Sequence, residues 1–257
     1  SSSLLFLYSR LTSNREKVQR KDWPMFLLLA FLEPFCYFVG ESFGLLLVSP
    51  VLASMMIALI PVLSPVFAYI FHRERLTLIN IAGLLVSFGG LAVFTTTPGA
   101  ELNASLKGLL FLLFAVLSGI GYSIVVKNIS HRYRPITVVR TQNMLGALFF
   151  LPFMALLELK ATLSASPPPN VIANLVMLAV FGSSLAFILV TISIRELGIG
   201  KTNVFTNIIP VITAVTAYFL LGEGFSERKV IGMGIVIAGI FLAQYRKPAG
   251  EQVIHER

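Results

Sequence analysis

From Trp23 to Tyr245 long apolar runs alternate with short polar connectors. A helix crossing the hydrocarbon layer of a bilayer needs about 20 mainly apolar residues. Eight runs reach that length, at about 23–47, 50–72, 76–95, 105–127, 136–158, 171–194, 201–222 and 229–245. Residues 1–11 are too short to add another. Rigid or turn-forming residues break the helical period at Ser49-Pro50, at Thr97-Pro98-Gly99 and at Ser166-Pro167-Pro168-Pro169-Asn170. Connectors this short leave no room for a soluble domain. The pattern predicts an all-α, polytopic transmembrane helix bundle.

Composition agrees. Of 257 residues, 56% are hydrophobic and 12% charged, with a mean hydropathy of +0.85. Ordinary globular chains carry about 25% charged residues, so a single aqueous core is excluded. The net charge of +8 would suggest a nucleic-acid partner in a soluble protein. Here the bases sit in the connectors, so no nucleic acid is expected and the charges act as topology signals. Strict alternation of the runs puts 16 bases on one side: Arg10, Arg15, Lys17, Arg20, Lys21, Arg73, Arg75, Lys127, Arg132, Arg134, Arg140, Arg195, Lys201, Arg246, Lys247 and Arg257. The other side holds 4, namely Lys107, Lys160, Arg228 and Lys229. The basic side, with the C-terminus, is expected to be cytoplasmic.

Cys36 is the only cysteine and lies in an apolar run, which excludes a disulfide framework and a thiolate metal site. His72, His131 and His255 lie in connectors or the tail, and Asp22 is the only aspartate. No metal and no cofactor is expected, and most hydrolytic chemistry is excluded.

The segment Ile60 to Phe94, IPVLSPVFAYIFHRERLTLINIAGLLVSFGGLAVF, aligns without a gap with Ile209 to Ala243, IPVITAVTAYFLLGEGFSERKVIGMGIVIAGIFLA, at an offset of 149. Shared positions include Pro61/Pro210, Tyr69/Tyr218, Glu74/Glu223, Gly83/Gly232 and Gly90/Gly239. Coincident Pro, Tyr, Glu and two Gly in one register indicate a duplication. The second unit, residues 105–247, contains five runs, and an odd number of crossings turns one copy over relative to the other. An inverted repeat is predicted, with residues 1–97 as the first unit and 248–257 as a cytoplasmic tail. Subtracting 149 sets residue 1 opposite Phe150. A ten-helix parent is therefore expected, of which this chain would hold the end of helix 2 and helices 3 to 10.

Two inverted five-helix units, each with a Pro-containing helix that ends in Tyr and then Glu before a Gly-spaced helix, resemble the EamA-type branch of the drug/metabolite transporter superfamily. Ser118 to Lys127, SGIGYSIVVK, and the stretch Pro135 to Pro152 with Arg140, Gln142 and Gly146 are similar to its sixth and seventh helices. On this alignment the residues given are expected to lack the family's first helix and most of its second. The resemblance implies a ten-helix transporter whose fifth and tenth helices are peripheral and whose other helices enclose a central cavity. It also implies a small-molecule substrate, a lipid bilayer as surroundings, export in many members and proton exchange in some. A bacterial inner (plasma) membrane is the location it suggests, and a homodimer is compatible with it.

Polar side chains within spans cost free energy, roughly 2.5–3.5 kcal/mol for a central Asp, Lys or Arg on insertion scales, so they face a cavity or a partner. At 1.5 Å per residue Glu33 lies about 15 Å beyond Trp23, and Glu41 about 27 Å beyond it. Tyr37 falls between them at the i, i+4, i+8 spacing that shares one face, and Pro34 can kink the helix there. Glu33 is a candidate to bind a substrate amine or a proton; the alternative is a protonated carboxyl bonded to a neighbouring helix. Tyr37 offers a hydroxyl and Glu41 lies along the exit path, or at an ordinary boundary.

Of Gln142 and Asn143, adjacent in sequence, at most one is expected to face the cavity, while Arg140 snorkels to the boundary. Asn203 and Asn207 share a face near Thr206, as substrate contacts or as interhelical hydrogen bonds. Tyr122 is a candidate contact or a packing aromatic. The span prolines and Gly40, Gly44, Gly83, Gly90, Gly232 and Gly239 are expected to serve packing, and Glu74 and Glu223 to make helix-end contacts. The leading expectation is a secondary transporter, an exporter of an amino acid-like or drug-like metabolite, working by alternating access around a midplane cavity. The alternatives are a membrane-embedded lipid-modifying enzyme and a non-transporting scaffold.

Overall fold

The computed structural model describes residues 5–6, 16–48, 53, 56–74, 77–95, 105–158, 168–208, 211–212, 215, 219 and 227–244. Most of residues 1–11, the connectors at 49–50 and 97–99, much of 209–226 including Ile209, Pro210, Tyr218 and Glu223, and the tail at 248–257 lie outside them. Among the described residues there are helices and no strand: α1 (Arg20–Leu45), α2 (Leu59–His72), α3 (Leu78–Thr95), α4 (Leu106–Ser130), α5 (Pro135–Phe153), α6 (Pro169–Leu197), α7 (Ile199–Val204) and α8 (Glu227–Gln244). α1, α4 and α6 are long and apolar enough to cross a membrane, and α2, α3 and α8 contain shorter apolar helices. Leu46, Leu78, Leu106, Leu178 and Phe241 are among many large apolar side chains that stand exposed. A soluble protein would bury such a surface, and a lipid-facing one displays it. The chain is an all-α membrane bundle.

α1 begins with Pro24 in its first turn, where the missing N–H is not needed. It is interrupted at Glu33, whose backbone is extended (φ −147°, ψ 122°) just before Pro34. Pro34 disfavours the helical region for its predecessor and removes a ladder donor, so Phe31–Cys36 widens into π-type turns. The break rests on α5: a Cβ at Gly146 would lie 2.5 Å from Pro34 Cγ. Phe35 fills the adjoining space against Phe149, Phe150 and Phe153, with ring centroids 5.8, 5.3 and 5.4 Å away. Further along, Gly40 and Gly44 let α1 lie directly against Ala115 and Leu112 of α4.

α4 is central, burying Leu112, Ala115, Val116, Ile120 and Val126, whereas most of α6 is exposed. α3 and α8 run antiparallel in close contact. A Cβ at Gly83 would collide with the backbone of Leu242 and Ala243, one at Gly90 with Ile235 and Val236, and one at Gly239 with Ser87.

Candidate functional site

A cavity of about 490 Å³ lies among α1, α2, α3, α4, α6 and α7 and the turn that follows α7. The interrupted helix α1 contributes Glu33, Tyr37 and Glu41, and the Tyr37 hydroxyl donates to Glu41 Oε1 at 3.2 Å. The i, i+4, i+8 spacing assumed a continuous helix. The break at Glu33 alters the geometry locally, yet all three side chains line the cavity. Tyr122 and Ser123 of α4 line it beside α1, where a Cβ placed at Gly119 would lie 3.3 Å from the Tyr37 ring.

Asn203 and Asn207 also line the cavity. α7 gives way to a 3-10 turn at Phe205–Ile208, so the two amides diverge in their partners. Asn203 Nδ2 donates to Ser64 Oγ at 2.6 Å and Ser123 Oγ at 3.3 Å, joining α2, α4 and α7. Asn207 Nδ2 donates to Ser87 Oγ of α3 at 2.9 Å, while its Oδ1 is buried with no partner among the described residues. The Tyr122 hydroxyl is buried within reach of the Gln142 and Thr191 side chains.

The adjacent pair on α5 separates. Gln142 is fully buried behind the cavity wall, and its Nε2 donates to the Glu33 carbonyl at 3.1 Å. That carbonyl is left free by the proline break, so the amide both satisfies it and fixes the site of the interruption. Asn143 turns away toward a second, lipid-side cavity of about 510 Å³, where its Nδ2 donates to the Ser183 carbonyl at 3.3 Å. Neither lines the main cavity.

Sequence reasoning missed Ser64, Ser87, Ser123 and Phe187 and did not select Thr206, which stands on the wall. A serine in an apolar run carries little signal, because it can satisfy itself on its own helix, as Ser64 does on the Ile60 carbonyl at 2.6 Å. Among the described residues no three His, Cys, Asp or Glu side chains cluster as a metal would require.

At the basic end of the bundle the helices are tied together by hydrogen bonds and an ion pair. α2 ends at Arg73 in the left-handed region (φ 54°), which aims Glu74 across the bundle. The Glu74 carboxylate accepts from the Ile199 backbone N–H at 3.0 and 3.3 Å and sits 3.8 Å from Lys127 Nζ. Lys127 Nζ donates to the Ile194 and Arg195 carbonyls at 3.1 and 3.2 Å, capping α6. Gly198, at φ 90°, makes the corner from α6 to α7, and a Cβ there would lie 2.7 Å from the Glu74 carboxylate. Alongside, Asp22 accepts from Arg132 Nη1 at 2.8 Å and from the Tyr133 hydroxyl at 2.7 Å. Arg140 Nη2 donates to the Glu16 carbonyl at 3.3 Å.

The sequence model of the EamA-like transporter family matches residues 1–96 and 106–245. An "Uncharacterized transporter" of Archaeoglobus fulgidus is 25% identical over 227 residues, covering 88% of this chain and 79% of its own. A "Probable terminal-alkyne amino-acid exporter" of Streptantibioticus cattleyicolor is 28% identical over 226 residues, covering 88% and 74%. A solved crystal structure superposes with a TM-score of 0.81 at 19% identity, covering 94% of this chain and 84% of its own, which shows a shared fold. With both halves of the chain matched by one transporter model, and an apolar helical bundle enclosing a cavity whose largely apolar wall carries a few polar side chains, the protein belongs to the EamA-like transporter family.

Proposed function

We propose that this membrane transporter is a secondary transporter that moves a small organic metabolite through the 490 Å³ cavity by alternating access. The observation that carries the reading is the cavity itself, whose polar wall is assembled from both halves of the chain: Glu33, Tyr37 and Glu41 from the first, Tyr122, Asn203 and Asn207 from the second.

An inverted repeat, with units at 1–97 and 105–247, is supported by the α3–α8 seam. Ser87 meets Gly239 and Gly90 meets Val236, and adding 149 to one member of either pair while subtracting it from the other gives the other pair. Homologous helices packed antiparallel across such a two-fold point their parent units in opposite directions, the arrangement that lets two halves rock about a fixed site. The tie at Glu74, Lys127 and Ile199 supports a state closed at the basic end, with the cavity reaching toward Leu45 and Leu112 at the other. The charge asymmetry favours a cytoplasmic basic end and C-terminus, and the exporter among the relatives favours outward movement.

Glu33 is the anchor in this reading. Reconstituted into liposomes, the wild type moves its solute without altering it covalently. Glu33→Gln inserts normally and loses that flux. Equal flux in the two proteins removes Glu33 from the mechanism, and covalent change of the solute replaces transport with enzymatic action.

A further inference from the structure

The cavity carries a charge pattern that narrows its ligand beyond a small organic solute. Resting on the transporter reading above, the geometry points to an organic amine, cationic and without a carboxylate of its own, as the solute this site takes.

Two carboxylates, Glu33 and Glu41, face the cavity, and among the described residues lining it there is no Lys, Arg or His. Sequence extends this beyond the described positions. The stretches 23–71, 108–126 and 202–227, which supply most of the described wall, contain no Lys, Arg or His. Lys127, beyond the second of these stretches, is held at the basic end by two carbonyls and Glu74. An anion entering this space finds no countercharge.

The hydrogen-bonding inventory has the same sense. Both asparagines spend amide donors on serine hydroxyls of neighbouring helices, and Tyr37 spends its O–H on Glu41. The Glu33 and Glu41 carboxyls line the cavity and can accept from an occupant. A buried acceptor left unpaired costs free energy, so an occupant rich in N–H donors is favoured over one that brings acceptors. The Tyr37 and Tyr122 rings add π-faces, which attract a cation. Ile60, Leu91, Leu112 and Phe187 provide an apolar wall for the rest of the molecule. The volume falls within the range of small-molecule sites.

A zwitterionic amino acid satisfies the amine half of this pattern and violates the other half. Its carboxylate would sit beside Glu33 and Glu41 with no Lys, Arg or His among the described lining residues to offset its charge.

The test uses the whole chain in lipid nanodiscs for binding and in liposomes for flux. The probes are matched trios with one apolar body: phenethylamine, phenylalanine and 3-phenylpropionate, then tryptamine, tryptophan and indole-3-propionate. The expected result is amine binding at least about tenfold tighter than that of the matching amino acid or acid. Glu33→Gln weakens amine binding by a similar factor, and Glu33→Asp restores part of it. Thermal melting of each variant verifies that the fold is kept. Equal or tighter binding of the amino acids or acids overturns the inference, as does absence of binding by every amine, or amine affinity unchanged in a folded Glu33→Gln. Amine binding without flux supports the ligand class and removes the transporter reading. Flux of an anionic or neutral solute with no amine binding leaves transport standing and removes the ligand class.

Discussion

Removing the carboxylate of Glu74 should open the basic end of the bundle. In this structure that carboxylate holds the first N–H of α7 and approaches Lys127. A hydrogen bond to a charged group contributes about 1.5–3 kcal/mol net, while a partly exposed ion pair at 3.8 Å adds at most about 1 kcal/mol. Because Ile199 N shares one proton between two carboxylate oxygens, about 2 kcal/mol is the reasonable sum for Glu74→Ala. In the alternating-access cycle proposed above, this tie breaks when the basic end opens, so the loss would fall on the closed state alone. A bias of 2 kcal/mol is roughly a 30-fold shift in the ratio of closed to open molecules.

Spin labels at Phe71 and Glu196, both exposed and on the two helices joined through the tie, would read that ratio in nanodiscs after replacement of the buried Cys36. Glu74→Ala should transfer population to the longer distance. An unchanged distribution refutes the reasoning. If the melting temperature falls while the distribution stays fixed, Glu74 supports α7 equally in both states and is no gate.

Other perturbations separate packing from chemistry. Gly83→Ala and Gly239→Ala should each lose about 1–3 kcal/mol through overpacking at the α3–α8 seam, seen as a lower melting temperature in detergent. Gly89→Ala and Gly234→Ala, where a Cβ meets nothing within 4 Å, should be neutral or gain up to about 1 kcal/mol from helix propensity. Equal effects at all four would refute the close approach. Asn203→Ala should cost about 1 kcal/mol, because Ser64 and Ser123 retain carbonyl acceptors on their own helices at 2.6 and 3.1 Å; a loss several times larger would mean the α2–α4–α7 junction depends on the amide. Asp22→Ala removes the acceptor of both Arg132 and the Tyr133 hydroxyl, which keeps only the Gln19 N–H as partner, and should cost about 1–3 kcal/mol, whereas Tyr133→Phe, which leaves Asp22 its Arg132 partner, should cost less, a ranking that denaturation of the two variants side by side can reverse.

The apolar runs and the connectors that punctuate them were legible because a bilayer imposes a length of about 20 residues on every crossing helix. Glu33, Tyr37 and Glu41 stood out for the same reason, being polar groups where lipid tolerates none. The choice between Gln142 and Asn143 was not legible, since both are polar and adjacent, and only the position of Pro34 against Gly146 turns Gln142 inward to the Glu33 carbonyl. Nor could the roles of Ser64, Ser87 and Ser123 be read, because a serine that bonds its own helix looks the same in sequence as one that also receives an asparagine from another.

Sequence alone determined that this chain is helical, lies in a membrane and carries a doubled pattern with isolated acids in one run, because these follow from length, polarity and period along a single segment. Tertiary structure alone decided which helix faces meet, that six of the singled-out polar residues share a cavity, and that Glu74 reaches Ile199. In lipid the outside of a bundle is as apolar as its inside, so hydrophobic periodicity, which separates core from surface in water, gives no direction here. Shape, small residues and paired hydrogen bonds supply that direction, and they exist only once the helices are packed.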